Sequence, residues 1–371
     1  MEREKMTARA KNEEPGRIGK GRRIVIVTVG MLFFVSVILV AVDVSPMAIF
    51  ALSALTIIPL AYFMGVSTEE LGKRLGPGSG SLLNATFGNA TELIIAVFAL
   101  QAGLHTIVKA SLTGSIIGNI LFVLGLSMLT GGLKHKTQRF ERRAAGTSST
   151  MLAIAVVALT IPTLATLYSP DGNGGPAQIV DLSIWASALL LIVYFCGLIF
   201  SLHTHKGIFN PVGGREEPEW SARMAIGGLL ISTILVSIEA EFLVGAIQNS
   251  SDFLGLNELF MGVVIIALIG NAAEHGGAVM MAYKNKMDLS VQIATNSGTQ
   301  IALFVAPLLV FISFLFGPPM TLAFEIFELV AIALSVAIVH MVSSDGESNW
   351  YEGAMLVTVY LIVAVGFFFH P

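Results

Sequence analysis

Apolar residues gather along this chain into long runs broken by short polar or turn-rich stretches; they do not alternate. Runs of about 20 apolar residues match a hydrocarbon core of ~30 Å at ~1.5 Å per helical residue. Eleven such spans are predicted, near 24–42, 47–66, 80–102, 106–131, 148–168, 179–202, 222–247, 258–282, 289–316, 320–341 and 351–369. The breaks between them include Asp43-Val-Ser-Pro46, Leu75 through Gly80, Ser169 through Gly175 and Gly317-Pro-Pro319, all rich in residues that stop a helix. Tyr168, Trp185, Tyr283, Trp350 and Tyr351 fall near predicted span ends, where interfacial aromatics collect.

Composition agrees with this pattern. Of 371 residues 54% are hydrophobic and 12% charged, with a mean hydropathy of +0.79; soluble domains carry roughly twice that share of charge. The one cysteine, Cys196, lies in an apolar run, which excludes a disulfide framework or a cysteine-based metal site. The first apolar run has no small-residue cleavage site after it, which predicts a retained span and no cleaved signal peptide.

Charge placement orients the chain. With the N-terminus in the cytoplasm and sides alternating at each span, all of the 21 lysines and arginines except Lys109 fall on the inside. The positive-inside rule then predicts a cytoplasmic N-terminus and an outside C-terminus, and an even number of spans would break the pattern.

The polar residues inside the spans repeat. Gly88-Asn-Ala-Thr-Glu92 has a near copy at Gly270-Asn-Ala-Ala-Glu274, displaced by 182 residues, and the same displacement carries Ser115 onto Ser297 and Leu121-Phe-Val123 onto Leu303-Phe-Val305. The expected fold is therefore an all-α polytopic membrane protein of eleven transmembrane helices, one extra N-terminal helix plus two inverted five-helix repeats. Its parts are a basic arm (1–23), the extra helix (24–42), a first repeat (47–202), a cytoplasmic linker (203–221) and a second repeat (222–371). An odd number of spans per unit makes the copies enter from opposite sides, and such inverted repeats hold their site near the midplane where they meet.

A carboxylate at the bilayer centre costs about 2.5–3.5 kcal/mol on insertion scales, so two at corresponding positions mark a functional site. Helical spacing puts Asn89 and Gly88 on the face of Glu92, and Asn271 and Gly270 on the face of Glu274. Glycine and asparagine are poor helix formers, which predicts local distortion just before each glutamate. With Ser115, Ser297 and Gln300 these residues make an all-oxygen set suited to a hard divalent cation such as Ca²⁺, and two carboxylates balance its charge. Asn119 and Gln300 do not correspond under the displacement. Glu239, Glu241, His275 and Asn119 are candidates for an ion or proton pathway, although His275 can equally be a packing residue. Glu69 and Glu70 are expected to be solvated at a cytoplasmic end, and Glu325 and Glu328 to snorkel at an outer one. The chain has no H-E-x-x-H, G-x-S-x-G or phosphate-binding loop, so an enzymatic or ATP-driven reading has no site to rest on. Asn84-Ala-Thr86 and Asn89-Ala-Thr91 match the glycosylation pattern but lie in or beside a span.

Asn84 through Leu93, Gly270 through His275, Gln300-Ile-Ala-Leu303 and Asp345 through Gly353 together resemble the Ca²⁺/H⁺ antiporters (cation/proton exchangers) of the cation/Ca²⁺ exchanger superfamily, over spans 2–11. The resemblance implies that Glu92 and Glu274 carry cation and proton. Sodium-coupled relatives usually place proline before the acidic residue; Thr91 and Ala273 stand there in this chain, which favours proton coupling. Asn296-Ser297-Gly298 replaces a common Gly-Ser-Ser run, and the acidic stretch between the halves is reduced to Glu216-Glu217-Pro-Glu219. The expectation is Ca²⁺ export in exchange for H⁺ across a plasma membrane, a vacuolar one being the lesser alternative, with no enzyme activity or bound cofactor. The expected partners are the lipid bilayer and the transported ions, with the choice between Ca²⁺ and Mn²⁺ left open, no nucleic acid, and homo-oligomer formation left open. A Na⁺-coupled exchanger on the same scaffold and a passive cation channel are the alternatives.

Overall fold

The computed structural model describes residues 20–42, 44–75, 80, 83–84, 86–167, 176–205 and 217–370. Most of the N-terminal arm, the 76–79 break, Tyr168 with the 169–175 break, and linker residues 206–216 lie outside the described residues. Among those described, the principal helices are α1 (Lys20–Ala41), α2 (Pro46–Leu75), α3 (Ala90–Gln101), α4 (His105–His135), α5 (Arg142–Leu167), α6 (Ala177–Thr204), α7 (Ala222–Leu254), α8 (Glu258–Tyr283), α9 (Met287–Ser313), α10 (Ile326–Val342) and α11 (Trp350–Phe368). Eight of them are long and apolar enough to cross a membrane; α3, α10 and residues 27–41 of α1 are apolar but shorter.

Helices α4 and α9 form the centre, with 72% and 67% of their apolar windows buried, whereas α6 and α11 bury only 22%. Side chains such as Ile116, Ile120, Leu121, Leu303 and Leu309 are fully enclosed there. Lipid-facing residues such as Trp185, Leu230 and Ile362 point outward, as expected of helices solvated by hydrocarbon. Trp185 accordingly lies well inside α6, away from the span end where the sequence placed it.

Cross-links between loops sort the breaks into two sets. On one side β1 (Thr137–Arg139) pairs antiparallel with β2 (Glu347–Asn349). The pairing is closed by Phe140 N donating to Gly346 O at 3.0 Å, with Gly346 at φ 79°, a left-handed turn that suits glycine. Gln138 Nε2 adds bonds to Ala282 O and Asn285 Oδ1, both 2.9 Å, so the 136–141, 283–286 and 343–349 connections share one side. On the other side Asn257 Nδ2 donates to Phe367 O and His370 O at 2.9 Å, at and just past the end of α11. This division agrees with sides that alternate along the chain.

Two spans depart from their expected form. The 80–102 span is broken: Gly88 and Asn89 form a turn, and the continuous helix starts only at Ala90. The 320–341 span starts late, because residues 319–325 are not helical and α10 begins at Ile326 behind a Glu325–Glu328 capping box. Pro318 and Pro319 stop a helix, and hydroxyls replace the missing backbone partners. Met320 N donates to Ser313 Oγ (2.7 Å), Leu322 N to Ser183 Oγ (3.0 Å) and Phe324 N to Thr163 Oγ1 (3.0 Å). Non-helical backbone is tolerated at membrane depth only where protein satisfies it in this way.

Lys109, the exception in the charge pattern, belongs to the same region. Its Nζ donates to Ala323 O at 2.8 Å and is attracted by Glu328 and Glu325. Glu328 does not snorkel: it is 1% exposed and accepts from Thr113 Oγ1 (2.9 Å) and from the Glu325 backbone (2.9 Å). Glu325 itself is exposed.

Candidate cation-binding site

Four helices meet where the two copied motifs sit. Glu92 stands in the first turn of α3, just after the Gly88–Asn89 turn, and Glu274 lies within the continuous helix of α8. The expected distortion is thus present at Gly88–Asn89 and absent at Gly270–Asn271; α8 is instead wound as a π-helix earlier, at Met261–Ile266. The other two walls are α4 with Ser115 and Asn119 and α9 with Ser297 and Gln300. Both become π-helical here, over Gly118–Val123, which includes Asn119, and over Ile301–Val305, just after Gln300. Such widened turns recur at functional sites.

Contacts across the site exchange between the copies. A methyl group at Gly270 would lie 3.0 Å from Glu92 Cγ, and one at Gly88 would lie 3.5 Å from Glu274 Oε1. Each glutamate therefore rests against the motif glycine of the other copy. The asparagines behave alike: Ser297 Oγ donates to Asn89 Oδ1 (3.2 Å), and Asn271 Nδ2 donates to Ser115 Oγ (2.8 Å). Asn89 Nδ2 donates further to Gln300 Oε1 at 2.6 Å. Asn119 Nδ2 donates to Asn271 Oδ1 (2.9 Å), Ser297 Oγ (3.1 Å) and its own helix at Ser115 O (3.0 Å). Asn119 and Gln300 do not correspond in sequence, yet each bonds the motif asparagine of the opposite copy.

Every metal-site candidate read from the sequence is brought together: Glu92, Glu274, Asn89, Asn271, Gly88, Gly270, Ser115, Ser297 and Gln300. Close helix approach makes this possible, since a side chain at Gly114 would collide with the Val263 backbone of α8. Asn89, Asn271, Asn119, Ser115 and Ser297 are buried, as is Glu92 at 7% exposure. Within this network both oxygens of Glu92, Oε2 of Glu274 and Oδ1 of Asn119 are buried acceptors without a donor. Buried polar atoms are normally hydrogen-bonded, so acceptor oxygens converging without donors fit a cation or protons. Glu274 also acts electrostatically on Glu92 and lies against Ser297. Among the described residues no three His, Cys, Asp or Glu side chains cluster, so the donor set is two carboxylates with amide and hydroxyl oxygens.

The pathway candidates divide. Asn119 sits in the centre of the network. His275 packs edge-to-face on Phe122, ring centroids 6.3 Å apart. Glu239 is fully buried but bonds Ser36 of α1, and Glu241 is exposed; two residues apart on a helix, they face opposite directions. Neither reaches the site. Glu69 is exposed and pairs with Lys73 at 2.8 Å. Glu70, expected to be solvated, is instead buried, because it accepts from Trp220 N at 2.9 Å and from Lys73 Nζ at 3.1 Å where α2 meets the start of α7.

A family model described as sodium/calcium exchanger protein matches residues 45–203 and, separately, 224–369. A Ca²⁺/H⁺ antiporter of Aphanothece halophytica is 44% identical over 361 residues, covering 92% of this chain and 96% of that protein. The Ca²⁺/H⁺ antiporter ChaA of Bacillus subtilis is 47% identical over 326 residues, covering 86% and 92%. Among solved structures, native YfkE superposes with a TM-score of 0.80 at 41% identity, covering 93% of this chain and all of that one. The H⁺/Ca²⁺ exchanger CAX gives a TM-score of 0.70 at 13% identity over 94% and 92%, a likeness of fold alone.

Proposed function

The chain belongs to the sodium/calcium exchanger protein family, and from that premise we propose that it exports Ca²⁺ in exchange for H⁺, Glu92 and Glu274 holding the ion and protons in turn. Relatives named Ca²⁺/H⁺ antiporters at 44–47% identity support the pair of cargoes. We read the fold as eleven spans, α1 followed by two inverted five-helix repeats, α2–α6 and α7–α11, with the N-terminus cytoplasmic and the C-terminus outside a cell membrane. The observation that carries this reading is the exchange of contacts: Glu92 on Gly270 and Glu274 on Gly88, Asn89 with Ser297 and Asn271 with Ser115. An approximate two-fold axis through the site produces that pattern, and alternating access rocks one half against the other about it.

Two ionised carboxylates in a buried site are disfavoured by lost hydration and mutual repulsion. A divalent cation cancels both charges, and two protons do the same. Either neutralised form can switch its access; the empty, doubly charged form cannot, which couples the two fluxes and prevents leak. The asparagine–serine–glutamine network holds the carboxylates in place without supplying charge. Inward movement of protons then drives Ca²⁺ outward, and Mn²⁺, a hard cation of the same charge, is expected to compete for the same oxygens.

The test is Ca²⁺ uptake into inside-out vesicles energised by a pH gradient in Na⁺-free medium. The reading expects uptake that collapses with the gradient and is abolished by Glu92→Gln and by Glu274→Gln. Uptake that requires Na⁺, or that survives either substitution, overturns it.

A further inference from the structure

A cavity of about 440 Å³ opens between the first turns of α5 and the last turn of α10, on the side that carries the basic residues. Its walls include Arg142, Arg143, Thr150 and His340, together with Ser149 and Ser343. Both serines are only 3% exposed, and their hydroxyls have no hydrogen-bond partner, an unusual state for buried polar groups. Arg142 and Arg143 are exposed at the cavity mouth, and among the described residues neither guanidinium is in a salt bridge or hydrogen bond. Glu141, just before them, turns back to accept from the Arg143 backbone at 3.2 Å. The N-terminal dipole of α5 adds to the positive field, the C-terminal end of α10 opposing it in part.

The cavity does not end at the interface. It shares Ser149, Thr150 and His340 with a second space of about 320 Å³ that continues towards the membrane interior between Ala153 and Val156 of α5 and Ala333, Val336 and Ala337 of α10. The small side chains keep this lower part open, and Ile154, Val157 and Leu334 beside it are exposed. A polar, cationic mouth over an apolar trough has the shape and charge order of one phospholipid molecule. A free phosphate would fill the mouth and leave the trough unused.

We propose that the α5–α10 groove binds an anionic phospholipid, its phosphate held by Arg142, Arg143 and the two buried serine hydroxyls and its acyl chain lying along the apolar trough. Guanidinium groups pair phosphate oxygens bidentately, and basic pockets between membrane helices on the cytoplasmic side take lipid headgroups. The site lies apart from Glu92 and Glu274 and does not depend on what they carry.

The experiment measures lipid retention by the full-length protein in native mass spectrometry, titrating phosphatidylglycerol against phosphatidylcholine. Each basic residue near an anionic surface contributes ~1 kcal/mol, about fivefold in affinity. Wild type is therefore expected to prefer phosphatidylglycerol by about 25-fold, and Arg142→Gln/Arg143→Gln to lose that preference. Ala337→Phe keeps both charges but fills the trough, and it is expected to lose the lipid as well. Uptake in phosphatidylcholine vesicles, retained by both variants, shows that they fold. Three results would overturn the proposal: a preference that persists without the arginines, unchanged lipid binding by Ala337→Phe with inorganic phosphate competing for the same site, or a dimer whose contact covers the groove.

Discussion

Gly270→Ala puts one methyl group against one ligand side chain. The added carbon would lie 3.0 Å from Glu92 Cγ, 3.6 Å from its Cδ and 3.8 Å from its Cα. Carbon atoms rest at about 3.5–4.0 Å, so the Glu92 side chain must retreat by about 0.5 Å or more. Calcium–oxygen distances span only about 2.3–2.6 Å, and a retreat of that size exceeds the tolerance of a ligand shell. Overpacking typically costs about 1–3 kcal/mol, so the Ca²⁺ KM in gradient-driven vesicle uptake should rise about tenfold or more. The helix itself should not suffer, since alanine exceeds glycine in helix propensity by about 1 kcal/mol and α8 is regular at this position. The propensity gain offsets part of the overpacking cost, so thermal unfolding in detergent should stay at the wild-type midpoint or fall by no more than about 2 kcal/mol in stability. Gly276→Ala and Gly277→Ala, where an added carbon meets nothing within 4 Å, serve as controls on the same helix and should leave KM unchanged. A Gly270→Ala protein with wild-type KM would refute the placement of Glu92 against α8.

Other consequences are independent of that one. Asn119→Leu leaves Asn271 Oδ1 and Ser297 Oγ without their donor; an unsatisfied buried group costs about 1–3 kcal/mol, so thermal stability should fall and uptake with it, whereas a stable, active variant would contradict the network. Lys109→Met leaves Ala323 O without its donor and removes the charge that attracts buried Glu328, so it should destabilise by about 1–3 kcal/mol, part of which returns in Lys109→Met/Glu328→Gln; thermal unfolding of the three proteins decides, and equal stability of single and double variants would mean the groups are uncoupled. Glu239→Gln should preserve proton-driven uptake, because Glu239 bonds Ser36 of α1 and no site residue; loss of uptake in a stably folded variant would put it on the ion path.

The pair Glu92 and Glu274 was legible because a charged residue inside a span is conspicuous and because its surroundings recur at a fixed displacement. That displacement also anticipated the cross-bonded partners Ser115 and Ser297, though not which atoms meet. Asn119 was underestimated: its counterpart by position is Ile301, so the displacement gave no hint that it would bond Asn271 and Ser297. The break over residues 319–325 was hidden because its hydrogen-bond partners, Thr163 and Ser183, are distant in sequence and look like ordinary span residues. Glu328 and Glu241 were misjudged in opposite senses. Depth in a span can be estimated from position, but which neighbour a carboxylate meets depends on helix rotation, and the 3.6-residue period leaves that open when apolar residues surround the helix. Lys109 stood out as the one misplaced charge, and Glu328 explains it.

The central claim is that Ca²⁺ and protons occupy the same two carboxylates in exclusion of one another. Calorimetric titration of the purified protein with Ca²⁺, in buffers of different ionisation enthalpy, counts the protons released on binding. Protons should be released as Ca²⁺ binds, affinity should weaken at lower pH, and neither Glu92→Gln nor Glu274→Gln should bind Ca²⁺. Calcium binding without proton release across the pH series, or wild-type affinity in either variant, would contradict it.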